Sequence, residues 1–156
     1  MQNLNKLVVV SGYFNPIHLG HLDMIAYARK IAQQYGRKDH HKLCVIVNND
    51  EQVRLKGSCP FQTEQERIKI VQNIKGVARV VLSVDTDESV AKTLELLKPA
   101  VFINGGDRAS AETISSKEMR VCDELGIKTV FMGGGKENSS SDLVLRAYRW
   151  YMKKHY

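Results

Sequence analysis

Two histidines three residues apart, His18 and His21, lie in the stretch Ser11-Gly12-Tyr13-Phe14-Asn15-Pro16-Ile17-His18-Leu19-Gly20-His21. Gly12 has no Cβ and lets backbone approach a ligand closely. Pro16 stiffens the chain ahead of the histidines, and Gly20 leaves space between the imidazoles. A helix beginning near Ile17 would put both rings on one face of its first turn. The unpaired N–H groups and the positive dipole end of a helix start favour an anion there. Imidazoles donating into the same spot suit phosphate oxygens and the extra charge of a crowded transition state. A His-x-x-His pair could also supply two zinc ligands. Against that, Cys44, Cys59 and Cys122 are scattered, and His40-His41 reads as a solvated loop.

The elements that position this stretch follow from hydrophobic spacing. Leu7 to Val10 is a short apolar run, read as a buried strand, and Leu22 to Tyr35 carries helical periodicity. Further strands are expected at Lys42–Val47, Ala78–Val84, Ala100–Ile103 and Lys128–Met132. Between them, Glu51 to Gln62 reads as a loop over the site. Thr63-Glu64-Gln65-Glu66 matches a capping box that opens a helix, with Ile68, Val71 and Ile74 as its buried stripe. Helices are also expected around Val90–Leu97, ended by Pro99, over Glu112–Leu125, closed by Gly126, and after Ser139. Gly36 is read as the cap of the first helix, with Arg37 to His41 as a polar loop. Strands alternating with helices imply an α/β fold, one Rossmann-like doubly wound domain over residues 1–156 with a five-stranded parallel sheet.

Four clusters follow strand ends and therefore share one rim: the histidine stretch, the Lys56 segment, Asn104-Gly105-Gly106-Asp107-Arg108, and Ser139-Ser140-Ser141. Ligands bind at that rim in parallel α/β folds. Hydroxyls at a helix start suit phosphate, although one serine alone would serve as an N-cap. The chain has no Walker lysine loop and no G-x-G-x-x-G fingerprint, which disfavours a P-loop NTPase or a dinucleotide dehydrogenase.

Composition narrows the class. Hydrophobic residues make up 43% and charged residues 26% of 156, a usual balance for a water-soluble globular chain. No apolar run exceeds five residues, so no membrane span is expected. An N-terminus without a long apolar stretch and three cysteines without framework spacing point to the cytoplasm. The net charge of +6 suits acidic ligands. Part of that excess sits in the last helix, where Arg146, Arg149, Lys153 and Lys154 accompany Tyr148, Trp150 and Tyr151. Such interleaving is read as an amphipathic helix packing its aromatics, rather than as a nucleic-acid surface.

The histidine stretch resembles the G-x-F-[DN]-x-x-H-x-G-H signature of the cytidylyltransferase-like nucleotidyltransferases. Asn15 stands where Asp is common in the sugar- and alcohol-phosphate branches of that family, and Tyr13 where a small hydroxyl residue is common. The resemblance implies transfer of AMP or CMP from ATP or CTP to the phosphate of a small sugar or polyol phosphate, with pyrophosphate released by direct displacement. It implies catalytic roles for His18, His21 and Lys56. It implies nucleotide contacts at Tyr13, Phe14, Asn15, Arg67, Gly105, Gly106, Asp107, Ser139, Ser140 and Ser141. The arginine expected just before the serines is absent, with Lys136 nearby as a substitute. Mg²⁺ is expected to ride on the triphosphate rather than on a metal site of the chain. The heptose-phosphate adenylyltransferase branch is the most similar in look, followed by glycerol-phosphate cytidylyltransferases. Phe14-Asn15-Pro16-Ile17-His18 also resembles the nicotinamide-mononucleotide adenylyltransferases, and a nucleotide-binding module without turnover is the alternative of another class. Neither a membrane nor a nucleic acid is an expected partner; a homo-oligomer is compatible with the resemblance.

Overall fold

A computed structural model describes residues 5–35, 42–105, 115–132 and 139–156. Five strands, β1 (Asn5–Gly12), β2 (Lys42–Val47), β3 (Arg79–Leu82), β4 (Pro99–Asn104) and β5 (Lys128–Phe131), form one sheet in the order β3-β2-β1-β4-β5. Every pairing is parallel. The sheet therefore grows outward from β1 in both directions, and its order reverses between β1 and β4. That reversal opens a crevice at the carboxyl ends of these two strands.

Side-chain alternation along the strands divides the core in two. On one face, Leu7 and Val9 of β1 pack with Cys44, Ile46 and Phe102 beneath helices α4 (Ala91–Leu97) and α5 (Ser116–Leu125). On the other, Val8, Val10, Val45, Val101 and Ile103 pack beneath α1 (Leu19–Tyr35) and α3 (Glu64–Gln72). β2 is buried at five consecutive positions, as a central parallel strand covered on both faces should be.

Several boundaries differ from expectation for local reasons. α1 begins at Leu19 rather than Ile17, because the His18 carbonyl accepts the N–H groups of His21 (3.0 Å) and Leu22 (3.3 Å). Glu51 to Gln62 is not wholly a loop. Asp50–Leu55 forms the helix α2, opened by a capping box in which Asn49 and Gln52 exchange side-chain and backbone bonds. β3 is shorter than expected, since the Val84 N–H turns away to the Thr93 hydroxyl (3.0 Å). α4 stops at Leu97, ahead of Pro99 as expected; Lys98, at φ +45°, caps it in the left-handed region, and Pro99 also opens β4. The capping box at Thr63 and Glu66 is present as read. Gly126, at φ +68°, closes α5 as expected.

The last helix, α6 (Ser140–His155), departs furthest. No residue of it is buried, and Tyr148, Trp150 and Tyr151 are exposed rather than packed. Its periodicity is amphipathic, yet the sheet is already covered on both faces by α1, α3, α4 and α5. Gly36, the loop from Arg37 to His41, Gly133 to Gly135 and Lys136 lie outside the described residues.

Candidate active site

The loop from β1 to α1 is built around Phe14. A Cβ on Gly12 would meet Phe14 Cζ at 2.9 Å, so a side chain there would displace the ring that folds back over the strand end. Phe14 itself takes φ +52° and is 1% exposed. Its ring lies 4.7 Å from that of His21, and His21 in turn stacks on His18 at 3.8 Å. Phe14, expected against the nucleotide, instead backs the histidine pair from the core side.

His21 is oriented as well as stacked. Its Nδ1 accepts the His18 backbone N–H at 3.2 Å. An accepting Nδ1 places the proton of the neutral ring on Nε2. Burial pushes its pKa down to about 3, helped by the charges of His18 and then Lys56. His21 is therefore a neutral donor at ordinary pH, and the first turn of α1 adds its own N–H groups beside it.

Lys56 comes to the same rim from the end of α2, with Nζ 4.3 Å from the centroid of the Tyr13 ring. Its cation–π contact holds a flexible ammonium over the histidine loop. The structure thus brings together Tyr13, His18, His21 and Lys56.

Asn15 and Arg67 hold the scaffold of this loop. Asn15 is buried, donates from Nδ2 to the Cys59 carbonyl (2.8 Å) and accepts the Phe61 N–H at Oδ1 (2.9 Å). A carboxylate could accept but not donate, which gives a local reason for Asn at this position. Arg67 is fully buried. Its Nη1 donates to the carbonyls of Tyr13 (2.7 Å) and Asn48 (2.6 Å), its Nε to Gln62 (3.2 Å), and its Nη2 to Asp50 Oδ1 (2.7 Å). Four of its N–H groups are thus committed to protein oxygens. Arg67 ties the ends of β1 and β2 to the start of α3, and it is a positioning residue in this geometry.

The serines divide the work between them. Ser139 caps α6, its hydroxyl accepting the Asp142 N–H (3.1 Å). Ser140 donates its hydroxyl to the Pro16 carbonyl (2.7 Å), bringing the start of α6 to the histidine loop. Ser141 is exposed in the first turn. Gly105 follows β4, where a Cβ would meet Met24 Sδ at 2.8 Å. Gly106 and Asp107, expected to contact the nucleotide, lie outside the described residues, as does Arg108.

Sequence reasoning missed the polar frame beside the site. Gln52, fully buried, accepts from Asn48 and Asn49 and donates to the carbonyls of Asp87 (2.7 Å) and Ser89 (2.8 Å). Asn49 donates to the carbonyls of Ser83 and Asp85, both at 3.0 Å. The signal was the Asn-x-x-Gln spacing of 49 and 52, a capping box like the one recognised at Thr63.

Among the described residues, no group of three or more His, Cys, Asp or Glu side chains could hold a metal ion. Burial raises the Cys44 and Cys122 thiols to about 11, which makes them poor ligands near neutral pH. No helix among the described residues is long and apolar enough to cross a membrane.

A family model described as cytidylyltransferase-like matches residues 9–143. The chain is 34% identical to an FAD synthase of Korarchaeum cryptofilum over 153 residues, covering 97% of both chains. It is 35% identical to an FAD synthase of Methanopyrus kandleri over 125 residues, covering 80% of this chain and 76% of that one. The bifunctional protein HldE of Koribacter versatilis is 31% identical over 121 residues, which span 76% of this chain but 23% of that protein. Among solved structures, a lipopolysaccharide core biosynthesis protein of Thermoplasma volcanium superposes with a TM-score of 0.63 at 25% identity, covering 85% of this chain and 98% of that one.

Proposed function

Given that this chain belongs to the cytidylyltransferase-like family and is a nucleotidyltransferase, we propose that it transfers the adenylyl group of ATP to FMN, forming FAD and pyrophosphate. The observation that carries the acceptor is full-length similarity to a protein named FAD synthase, 97% of each chain at 34% identity. This replaces the sugar or polyol phosphate as the first acceptor to test.

In this reading a phosphate oxygen of FMN attacks the α-phosphorus of ATP. The new P–O bond forms as the bond between the α-phosphorus and the bridging oxygen to the β-phosphate breaks, and pyrophosphate carries the electron pair away. The nucleophile is already anionic, so no side chain has to remove a proton. His21 donates from Nε2 to the α-phosphate oxygens, and the His18 ring stacked on it lies at the same place. A neutral donor keeps its proton through the reaction and supplies a fixed dipole where charge accumulates. Lys56 adds a mobile positive charge that can follow the phosphates as they approach and part. The hydroxyl of Ser141 and the free N–H groups at the start of α6 suit the departing pyrophosphate. Mg²⁺ fits as a passenger of the triphosphate, because it retains waters and binds phosphate oxygens without needing an all-protein cage.

Pyrophosphate release tests the reading directly. ATP and CTP are each offered with FMN, with Mg²⁺ present, and FAD is followed by chromatography. Release with ATP and FMN, abolished in His18→Ala, is the expected result; no FAD under those conditions overturns the acceptor. A second reading, adenylyl transfer to a heptose phosphate, is favoured by the similarity to HldE. Pyrophosphate release with a sugar 1-phosphate, and none with FMN, would select it.

A further inference from the structure

Tyr13 and Lys56 approach one another from two segments whose backbones are both held. Lys56 caps α2, and the helix closes behind it through a pair of bonds. The Gly57 N–H donates to the Arg54 carbonyl (2.9 Å) and the Ser58 N–H to the Val53 carbonyl (3.2 Å). Gly57 takes φ +86°, the left-handed conformation that such a closure needs. Tyr13 leaves β1 ahead of the buried Phe14, and its carbonyl accepts Arg67 Nη1 at 2.7 Å. Asn15 then joins the two segments, donating to the Cys59 carbonyl and accepting the Phe61 N–H.

Within this frame the loose part is the lysine side chain. A four-carbon stem on an exposed residue samples many rotamers, and each carries the ammonium to a different place. The half-buried Tyr13 ring lies under Nζ, 4.3 Å from its centroid. That is well inside the range of about 6 Å over which a ring face attracts a cation. The resting place is also beside the α-phosphate donor. After burial and His18, the charge of Lys56 is the next cause that lowers the His21 pKa.

We propose that Tyr13 is a positioning residue for Lys56: the face of its ring, and not its hydroxyl, holds the ammonium beside His21 ahead of the phosphates. The inference deepens the reaction proposed above and rests on it, though not on the identity of the acceptor. It gives a reason for Tyr13 at a motif position where a small hydroxyl residue is common. A threonine offers no ring face, and a lysine opposite it has to search its rotamers in every turnover. An exposed cation–π contact is weak, so an arriving triphosphate can draw the ammonium off the ring.

Two variants of the full chain separate ring from hydroxyl. Tyr13→Phe keeps the ring alone, and Tyr13→Thr keeps a hydroxyl alone. Without any substrate, the ε-methylene protons of Lys56, assigned by their loss in Lys56→Ala, should resonate upfield under the ring current. The shift should survive in Tyr13→Phe and vanish in Tyr13→Thr; a wild type that lacks it overturns the proposal. The single-turnover rate of pyrophosphate release, at saturating ATP, Mg²⁺ and FMN, should be about fivefold lower in Tyr13→Thr than in Tyr13→Phe, the equivalent of one exposed cation–π contact. In a Lys56→Ala background the two should be equal, because the ring then has nothing to hold. A Tyr13→Thr rate equal to or above that of Tyr13→Phe would overturn the proposal and assign the position to its hydroxyl. A gap that persists without Lys56 would overturn it too, since the ring would be acting on something else. Should Tyr13→Thr fail to fold, Tyr13→Leu restores apolar bulk without a π face and must show the same losses. If FMN gives no pyrophosphate, the acceptor reading has failed by itself. The resonance, read without substrate, still decides the contact, and the rates are taken with the phosphorylated acceptor that does react.

Discussion

The backbone N–H of His18 donates to Nδ1 of His21 across 3.2 Å, so the first histidine of the motif sets the tautomer of the second. With Nδ1 occupied and its pKa lowered to about 3, the His21 ring stays neutral and donates from Nε2. His21→Ala should therefore lower kcat by about 10²–10³, the cost of losing one oriented donor to a charged transition state. Single-turnover adenylyl transfer measures it, and near-wild-type turnover would remove His21 from the chemistry.

The same ring makes stability depend on acid. Its folded pKa, about 3, lies below the ordinary value of 6.5. Between these values the unfolded chain binds a proton that the folded chain refuses, so stability falls as pH drops from about 6.5 towards 3. Above 6.5 the ring contributes no slope. Urea midpoints across this range should show the fall in the wild type and a shallower one in His21→Phe.

Lys56 is exposed at the end of α2 and rests on Tyr13. Lys56→Ala should cost about 10²-fold in kcat while leaving the melting temperature in place, since little packing is lost. A Lys56→Arg variant retains the charge and should recover part of the rate. Equal loss in both variants would indicate that the length of the side chain, not its charge, is what the loop requires.

Arg67 should behave in the opposite way. Removing a fully buried guanidinium strands the Asp50 carboxylate and the carbonyls of Tyr13, Asn48 and Gln62. Arg67→Met should destabilise by about 3–5 kcal/mol, the usual cost of breaking a buried pair from one side. Chemical denaturation reads this directly. Arg67→Lys should recover little, because one ammonium cannot span the same oxygens.

Asn15→Asp separates scaffold from chemistry. The carboxylate loses the bond to the Cys59 carbonyl and faces that oxygen instead, at a cost of about 1–3 kcal/mol. The denaturation midpoint should fall accordingly. An unchanged midpoint would show that the loop at residues 59–61 rearranges to accommodate the acid.

Much of the sheet was legible because parallel strands buried on both faces read as apolar runs, and Lys42–Val47 matches to the residue. The histidine loop was legible from residue types at fixed spacing. What could not be read was which polar side chains the fold would use up. Arg67 looks like any first-turn arginine until the carbonyls of Tyr13, Asn48 and Gln62 and the Asp50 carboxylate converge on it. Asn15 resembles a ligand contact until the segment at 59–61 closes over it. α2 was missed because a six-residue helix gives too little periodicity, although its capping residues were in plain view. The aromatic periodicity of α6 suggested burial, but periodicity records an apolar face without saying whether anything in the same chain covers it.

That exposed helix also determines what light can report about this molecule. The single tryptophan, Trp150, is 62% exposed in the folded chain. Its indole is already in water before unfolding, so its emission should be red-shifted and readily quenched by acrylamide in the native state. A blue shift would therefore mark the covering of α6 by another surface, while the melting of the sheet would pass almost unseen in this channel.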